Sequence, residues 1–528
     1  MDSNDRVCNR LENTKKVLKT AGFMVAATLL AKVLGMLRDV LVASNYGTQV
    51  SAVAFYTASR IPMLLFDFVI GGVISSTFIP VFNEYLEKKG KEQAMRFANQ
   101  YINVVLLITV VITILGLIFS STLIHLIAPD ISDATKVISR GLSNIMFPMI
   151  IFTGLAYSFV GILQSFGEFN IPSIISLVSN GVIILYFLIF QDKFGVTGLA
   201  VAMLIGWGLQ AVIQVPWLKK FGYSYRPYLS FRDEGIRKAG RLALPMLVST
   251  WAQPLCSLIN MRLASSVNEG AGIAAMEYAN KIYIIVTGVF SFVVTNLIFP
   301  YLSRASAADR QNDIKSLMVT SLKALSFIIL PIMFAFFILA KPIISLMYER
   351  GEFVASDVAM TSTALMFYSI GMLALAFCEL LNKSFFSMHD SKTPMYTSIF
   401  SISVNIVLSI VLSRVMGIGG LALATAIASI VNAISLFVLM SKRQNGIFDR
   451  KNTIDLLKTV ICTVLMGVVV FVIYWQFGAA LSALPLGKIV VLAVPLLAGG
   501  IVYLLAALVL RLSMANLLVN TFLKRKGD

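Results

Sequence analysis

Stretches of about 20 apolar residues recur along almost the whole chain, and this repetition constrains the fold more than any other feature. A helix of that length crosses about 30 Å of hydrocarbon, because an α-helix rises ~1.5 Å per residue. Of the 528 residues, 58% are hydrophobic and 13% are charged, and the mean hydropathy of +0.85 lies far above that of a soluble protein. The sequence therefore predicts an all-α integral membrane protein without a sizeable soluble domain.

About fourteen spans are predicted from this pattern. Their approximate bounds are 20–45, 52–80, 101–128, 137–165, 172–191, 195–218, 241–266, 272–301, 319–347, 357–386, 394–413, 418–440, 456–476 and 488–511. The first span contains Lys32, Arg38 and Asp39, whereas a secretory signal needs an uninterrupted apolar core, so we expect a mature helix. The four cysteines lie far apart and predict neither a disulfide framework nor a zinc site.

Most of the basic residues are predicted to lie on one side of the membrane. With a cytoplasmic N-terminus, 31 of the 43 Lys and Arg residues fall on the cytoplasmic side, seven fall on the opposite side and five fall within spans. The positive-inside rule then predicts that both termini are cytoplasmic. Because these cations lie between apolar segments rather than on one polar face, the net charge of +17 does not indicate nucleic-acid binding.

An internal repeat predicts two similar halves. Pro172 and Pro394 occupy one pair of matching stretches, and Arg60 and Lys281 occupy a second pair at nearly the same separation. Since each half holds six spans, the halves should share one orientation. The predicted organisation is a basic N-terminus (1–19), an N-lobe (20–220), a basic linker (221–240), a C-lobe (241–442), a second linker (443–455), two further helices (456–511) and a basic tail (512–528).

Five cations fall within spans, namely Lys32, Arg38, Arg60, Arg262 and Lys281. An ionised side chain near the bilayer centre costs ~2.5–3.5 kcal/mol on insertion scales, so these cations favour a wet cavity or an anionic ligand. Because the repeat matches Arg60 with Lys281, both could project into one central cleft as a cationic clamp.

Local neutralisation is the alternative. Asp67 follows Arg60 by seven residues and Glu277 precedes Lys281 by four, which places each pair on one helix face. The adjacent Arg38 and Asp39 are expected to point apart, whereas Lys32 and Asp39 share a face and could pair. Arg262 lies near an outer end, where snorkelling to the interface is as reasonable as ligand contact.

Few other residues suggest a reaction. Glu379 is equally compatible with a proton or cation site and with simple bonding to neighbouring helices. No spaced His, Cys or acidic cluster predicts a metal site, and no P-loop or nucleophile elbow is present, so an ATPase is not expected.

The chain resembles the MurJ/MviN lipid II flippases of the MOP exporter superfamily. The resemblance rests on short stretches that follow one another in family order across nearly the whole chain. These stretches are "AKVLGMLRDVLVASNYG", "AFYTASRIPMLL", "STFIPVFNEY", "MEYANKI", "YERGEF" and "FFSMHDSKTP…GIGGLALA".

The resemblance implies fourteen helices in two six-helix lobes, a central cationic cavity for the head of an undecaprenyl-diphosphate-linked precursor, and a lipid-tail groove at helices thirteen and fourteen. It implies diphosphate contacts by Lys32, Arg38 and Lys281. Arg60 and Arg262 join these candidates because they too are cations within spans. The supporting polar residues would be Asp39, Asp67, Glu277 and Asn280.

The same resemblance implies lipid II, or a related precursor, as substrate, for cell wall synthesis. Membrane lipids and cell wall synthesis proteins are expected as partners of a monomer in the bacterial cytoplasmic membrane. No cofactor is expected, while Na+ or H+ coupling and the membrane potential are candidate energy sources.

Val53 stands where relatives often have an acidic residue, and Phe66 and Asp67 stand where they often have arginine. Because of these departures, a flippase for another undecaprenyl-linked glycan is an alternative function. A MATE-like drug or cation exporter is a less favoured alternative, because such a protein should line its cleft with carboxylates rather than with cations.

Overall fold

The computed structural model describes residues 3–69, 74–228, 230, 233–308, 310–388, 390–444, 446 and 449–517. Some predicted features lie outside these residues: Arg232 of the first linker, His389 and the basic tail from residue 518 onward. The side chains of the basic N-terminus, up to residue 19, are also outside the description, although its backbone is helical from Ser3.

The described helices form two compact units. The first unit comprises the residues up to Val42 together with Gln49–Ser265, and the second comprises Ala43–Thr48 with the residues from Ser266 onward. The helices up to Ser265 are α1 (Ser3–Tyr46), α2 (Val50–Val69), α3 (Ile79–Lys88), α4 (Gly90–Ile118), α5 (Ser120–Ile127), α6 (Asp133–Met146), α7 (Met149–Ser165), α8 (Asn170–Ile189), α9 (Gln191–Val212), α10 (Val215–Lys220), α11 (Glu234–Thr250) and α12 (Ala252–Ser265).

The second unit is also helical throughout most of its described residues. Its helices are α13 (Ala271–Ala307), α14 (Gln311–Ile338), α15 (Ala340–Tyr348), α16 (Ala355–Ser369), α17 (Met372–Ser387), α18 (Lys392–Arg443), α19 (Arg450–Ser482) and α20 (Gly487–Val509). The last two helices pack on each other and on α14 and α15.

The predicted all-α membrane class is confirmed. Among the described residues, nine helices are long and apolar enough to cross a membrane, and a tenth span results when the bent pair α16 and α17 is counted as one. All fourteen predicted spans fall largely on helical segments, with α18 covering two of them, so the count of fourteen is consistent with the structure.

The repeat inferred from the sequence reappears in the backbone. Gly195 and Gly417 are separated by the same interval as Pro172 and Pro394. Both glycines break a helix with nearly the same dihedrals, φ 51° and ψ −147° against φ 54° and ψ −127°. Only glycine adopts such angles readily, because it has no Cβ. Each half therefore makes the same turn between its fifth and sixth spans.

A second match, at Glu168 and Asp390, precedes this turn by an equal interval in each half. Glu168 Oε1 accepts the backbone N–H of Asn170 at 2.9 Å, and Asp390 Oδ1 accepts that of Thr393 at 3.0 Å. Both carboxylates thus bind free N–H groups at the first turn of a helix. The "SMHDSKTP" stretch is explained in part by this capping role.

The boundary between the units differs from the predicted lobe boundary. Helices α11 and α12, which the repeat assigns to the second lobe, contact α2, α4 and α5 and belong to the first unit. The units are defined by contacts between residues, whereas the lobes were predicted from the sequence repeat. The two definitions need not agree, so the predicted lobe limits stay a prediction.

The described core of the first unit includes a stack of aromatic rings. Phe78, in a π-helical turn at Ile74–Phe78, stacks on Phe82 and Phe97 with ring centroids 5.3 and 5.7 Å apart. A Cβ at Gly161 would lie 2.7 Å from the Phe78 ring, so this glycine lets α7 approach closely.

An aromatic cluster anchors the end of α1 within the second unit. Tyr278, Tyr348 and Phe353 have ring centroids 5.1 to 5.7 Å apart, and all three rings are buried. The hydroxyl of Tyr278 donates to the carbonyl of Gly47 at 2.9 Å. Three stretches that carry the family resemblance, "ASNYG", "MEYANKI" and "YERGEF", therefore meet here.

Backbone contacts reinforce this cluster. The N–H of Glu352 donates to the carbonyl of Ser44 at 2.8 Å, and the hydroxyl of Thr48 donates to Asp357 Oδ1 at 2.7 Å. Gly351 has φ +58°, and a Cβ there would lie 2.1 Å from the Ser44 carbonyl oxygen. The last turn of α1 is thus built into the second unit.

The Asp390 cap should make stability depend on pH. Burial alone raises the pKa of Asp390, but bonds from Thr393 and the Arg443 guanidinium outweigh it and hold the pKa below the ordinary 3.8. A depressed carboxyl pKa adds stability that is complete above pH 3.8 and is lost as the pH falls through the folded-state pKa. We expect Asp390→Ala to lower the free energy of unfolding by about 1 kcal/mol at pH 7 and by less in acid, measured by thermal unfolding in detergent.

Ser391→Ala is the matched control, because it leaves both the cap and the ion pair in place. An equal loss for Asp390→Ala at pH 7 and at pH 3 would contradict a contribution from the charged form.

Candidate functional site

Arg38 is paired with its neighbour Asp39. Its Nε and Nη2 atoms donate to Asp39 Oδ1 at 3.0 and 2.8 Å. The expectation that the two side chains point apart is wrong, because the long arginine side chain curls back to the adjacent carboxylate. Asp39 is buried, and its Oδ2 atom has no hydrogen-bond partner among the described residues. No ion pair joins Lys32 to Asp39 in the described part of the chain.

Asn180 of α8 completes this group and was missed by the sequence analysis. Its Oδ1 accepts Arg38 Nη1 at 3.0 Å, while its Nδ2 donates to the carbonyl of Ala31 at 3.3 Å. Gly35 leaves room, since a Cβ there would lie 3.6 Å from Asn180 Nδ2. The available signal was an amide side chain within an apolar span, because such a group usually forms a hydrogen bond to another helix.

Arg60 lines a cavity of about 160 Å³ within the first unit. Its guanidinium donates to the hydroxyl of Ser257 on α12, and its Nε atom lies 3.2 Å from that oxygen. Asp67 lines the same cavity, but the two charges form no ion pair within 4.0 Å among the described residues. Arg60 and Asp67 therefore place one positive and one negative charge on the wall of the same cavity, without a direct ion pair between them.

Aromatic side chains form much of the remaining wall. Phe66 and Tyr157 stack with centroids 6.0 Å apart, and Trp207 completes this side of the cavity. Tyr157 and Trp207 were not predicted, because helical spacing places them in apolar spans like any packing residue. Phe66, noted only as a departure from the family pattern, contributes a ring to the cavity.

Arg262 lies apart from these groups. It is exposed at the end of α12, where its Nη1 atom donates to the carbonyl of Leu126 at 3.2 Å. The next turn of this end is fixed by Ser265, whose hydroxyl bonds Asp130 at 3.2 Å. This geometry favours the interfacial reading of Arg262 over ligand contact.

The second unit presents Glu277, Asn280 and Lys281 on α13. All three side chains are half-buried, and their spacing of three and four residues places them on one helix face. Lys281 makes no ion pair within 4.0 Å in the described part of the chain, so local neutralisation by Glu277 is not seen. The described residues contain no group of three or more His, Cys, Asp and Glu side chains able to hold a metal ion.

Comparisons with known proteins point to one family. The family model described as lipid II flippase MurJ matches residues 42–480. The probable lipid II flippase MurJ of Buchnera aphidicola subsp. Schizaphis graminum is 28% identical over 522 residues, covering 97% of this chain and all of that relative.

Solved structures show the same fold. A lipid II flippase MurJ in an inward closed conformation matches with a TM-score of 0.80 and 26% identity, over 92% of this chain and 98% of its own. An inward-facing multidrug resistance transporter of the MATE family, in the MOP superfamily, matches with a TM-score of 0.68 and 16% identity, over 80% and 98%. The second likeness concerns the fold alone.

Proposed function

Because the chain belongs to the lipid II flippase MurJ family, we propose that it moves lipid II from the inner to the outer leaflet of the bacterial cytoplasmic membrane, for peptidoglycan synthesis. The family is one of transporters, so no covalent step is assigned to this chain. Alternating access, in which the substrate site opens to one side at a time, is the proposed mechanism.

The observation that carries this proposal is the set of cations inside apolar helices. Lys32, Arg38 and Arg60 of the first unit and Lys281 of the second all lie within predicted spans, and none of the four is fully exposed. A diphosphate carries the opposite charge and several acceptor oxygens, so it can satisfy such donors with charge-assisted hydrogen bonds. We assign these four residues to diphosphate binding.

Lys281 has a specific role in this proposal. Its ammonium lacks the bidentate fork of an arginine but binds phosphate as a point charge. Asn280, which precedes it on the same helix, is assigned as a supporting hydrogen-bonding group.

The membrane potential can supply direction. An inside-negative potential favours outward movement of an anion by ~2.3 kcal/mol per charge per 100 mV, if the charge crosses the full field. Lipid II, membrane lipids and cell wall synthesis proteins are the proposed partners of a monomer with both termini in the cytoplasm.

A different undecaprenyl-linked glycan is the second candidate substrate. The favouring observation is Asp67, a carboxylate that shares the cavity of Arg60, together with the aromatic wall formed by Phe66, Tyr157 and Trp207. These groups suit the hydroxyls and the apolar face of a sugar.

The deciding experiment is complementation. The protein is expressed in bacteria depleted of their own lipid II flippase, and outer-leaflet lipid II is scored by its cleavage with an externally added lipid II-degrading toxin. Restored cleavage supports lipid II as substrate. If the protein is folded in the membrane and no cleavage occurs, the substrate is another undecaprenyl-linked glycan or the assay strain lacks a required partner.

A further inference from the structure

The cavity lined by Arg60 carries two opposite charges that do not meet. Asp67 follows Arg60 by two helical turns on α2, and both side chains line the cavity within the first unit. The two charges interact electrostatically, yet they form no ion pair within 4.0 Å in the described part of the chain. The cavity therefore offers one positive and one negative group to the same occupant.

Ser257 holds the guanidinium of Arg60 and leaves part of it available. The Ser257 hydroxyl on α12 accepts from Nη2 of Arg60 and, at 3.2 Å, from Nε. The Nη1 atom forms no hydrogen bond to the residues that the structure describes, so both of its N–H groups remain for a ligand. Asp67 is exposed, and its carboxylate likewise accepts no hydrogen bond from the described side chains. Donors and acceptors of opposite charge are thus both available.

Aromatic rings accompany the carboxylate. Phe66 and Tyr157 stack with ring centroids 6.0 Å apart, and Tyr157 lies close enough to Asp67 to interact with its charge. Trp207 lines the same cavity. The face of an aromatic ring attracts a cation, and an indole does so most strongly. A carboxylate beside such rings suits an organic ammonium group.

The size and the charges of the cavity restrict its occupant. Pockets that enclose a whole small-molecule ligand commonly measure ~300–1,000 Å³. This cavity of about 160 Å³ suits only the end group of a larger molecule. A purely anionic group would be repelled by Asp67, and a purely cationic group would be repelled by Arg60. A group that carries an ammonium and a carboxylate together satisfies both residues.

We propose that this cavity binds a zwitterionic amino-acid end in the peptide of the transported precursor. The carboxylate of that end accepts hydrogen bonds from Arg60, and its ammonium lies against Asp67 and the aromatic rings. Diaminopimelate in a peptide ends in such a group, whereas lysine ends in an ammonium alone. The inference rests on the proposed function and refines it, because Arg60 receives the peptide while the other three cations keep the diphosphate.

The test compares three forms of lipid II that differ only in the diamino acid of the peptide. The first has diaminopimelate, the second has lysine, which lacks the carboxylate, and the third has diaminopimelate with its terminal amine acetylated, which lacks the ammonium. Their affinities for the full chain are measured in phosphatidylglycerol nanodiscs. The wild-type protein should bind the first form about tenfold more tightly than either of the others, because each loses one charged hydrogen bond.

Two variants assign each charge to its residue. Arg60→Gln should remove the preference for diaminopimelate over lysine, whereas Asp67→Asn should remove the penalty for acetylation. Each result is a ratio of affinities within one protein, so a partly unfolded sample does not imitate it. Asp133→Asn is the matched control, since this exposed carboxylate of α6 lies outside the cavity lining, and it should keep both ratios.

The three free peptides are measured alongside by quenching of tryptophan fluorescence, with Trp207→Phe identifying the signal of the cavity. Equal binding of the three forms, both as lipids and as free peptides, would overturn the zwitterion site even if lipid II is transported. Discrimination that persists without transport would leave this site standing and remove the proposed function. Phosphatidylethanolamine carries an ammonium and a phosphate. Binding of that lipid that Asp67→Asn abolishes, without discrimination between the peptides, would assign the cavity to a lipid head group instead.

Discussion

Replacing Arg38 with alanine is expected to abolish lipid II transport while the protein still reaches the membrane. Asp39 and Asn180 hold the guanidinium in one orientation, so a diphosphate meets a donor group that is already positioned. Loss of two charge-assisted hydrogen bonds, at ~1.5–3 kcal/mol each, corresponds to a decrease in transport of at least about a hundredfold. The toxin-cleavage assay measures it, and Lys281→Ala should behave alike.

This variant also leaves Asp39 buried without its partner, which by itself can destabilise a protein by about 3–5 kcal/mol. The double variant Arg38→Ala with Asp39→Asn removes that charge. It should regain thermal stability without regaining transport. Arg262→Ala is the matched cation control and should transport normally, because Arg262 is exposed and donates to the Leu126 carbonyl. Normal transport by Arg38→Ala would remove Arg38 from the site.

Replacing Gly351 with alanine is expected to destabilise the second unit by about 3–5 kcal/mol. The backbone there has φ +58°, and the new Cβ would lie 2.1 Å from the carbonyl oxygen of Ser44. A backbone carbonyl cannot move aside as a side chain can, so the contact between the end of α1 and the loop after Tyr348 must open. Thermal unfolding in detergent measures the loss.

Gly446→Ala is the control that separates the cost of the positive φ from the cost of the steric clash with the Ser44 carbonyl. Gly446 has φ +90°, but within the described part of the chain no atom beyond its own neighbours lies within 4 Å of the position of its Cβ. This variant should lose only about 1 kcal/mol, the usual cost of a side chain in the left-handed region. Equal losses of stability in the two variants would show that the steric clash with Ser44 does not contribute to the destabilisation.

The architecture could be predicted because its causes are local. Apolar runs of span length determine the helices, and the recurrence of the Pro172 stretch at Pro394 is enough to reveal two similar halves. The breaks within spans were less visible. The break between α6 and α7 has a sequence signal in Pro148, whereas that between α4 and α5 at Phe119 has none.

The candidate site was predicted less completely, because its contacts join distant segments. Arg38 was identified from its cost in a membrane, but its partner Asn180 is 142 residues away and nothing in the sequence couples them. Helical spacing also gave the wrong result for Asp39. Adjacent residues on a helix have Cβ atoms that point in different directions, but the long side chain of Arg38 still reaches the neighbouring carboxylate. Trp207 and Ser257 meet Arg60 only through the packing of α2, α9 and α12.

The glycine turns at Gly195 and Gly417 say something about the history of the gene. The two turns have positive φ, nearly equal dihedrals and matching positions in the repeat. A common origin explains this more simply than two independent origins. The matched turns therefore favour an origin of the two halves by duplication of one segment of about six spans.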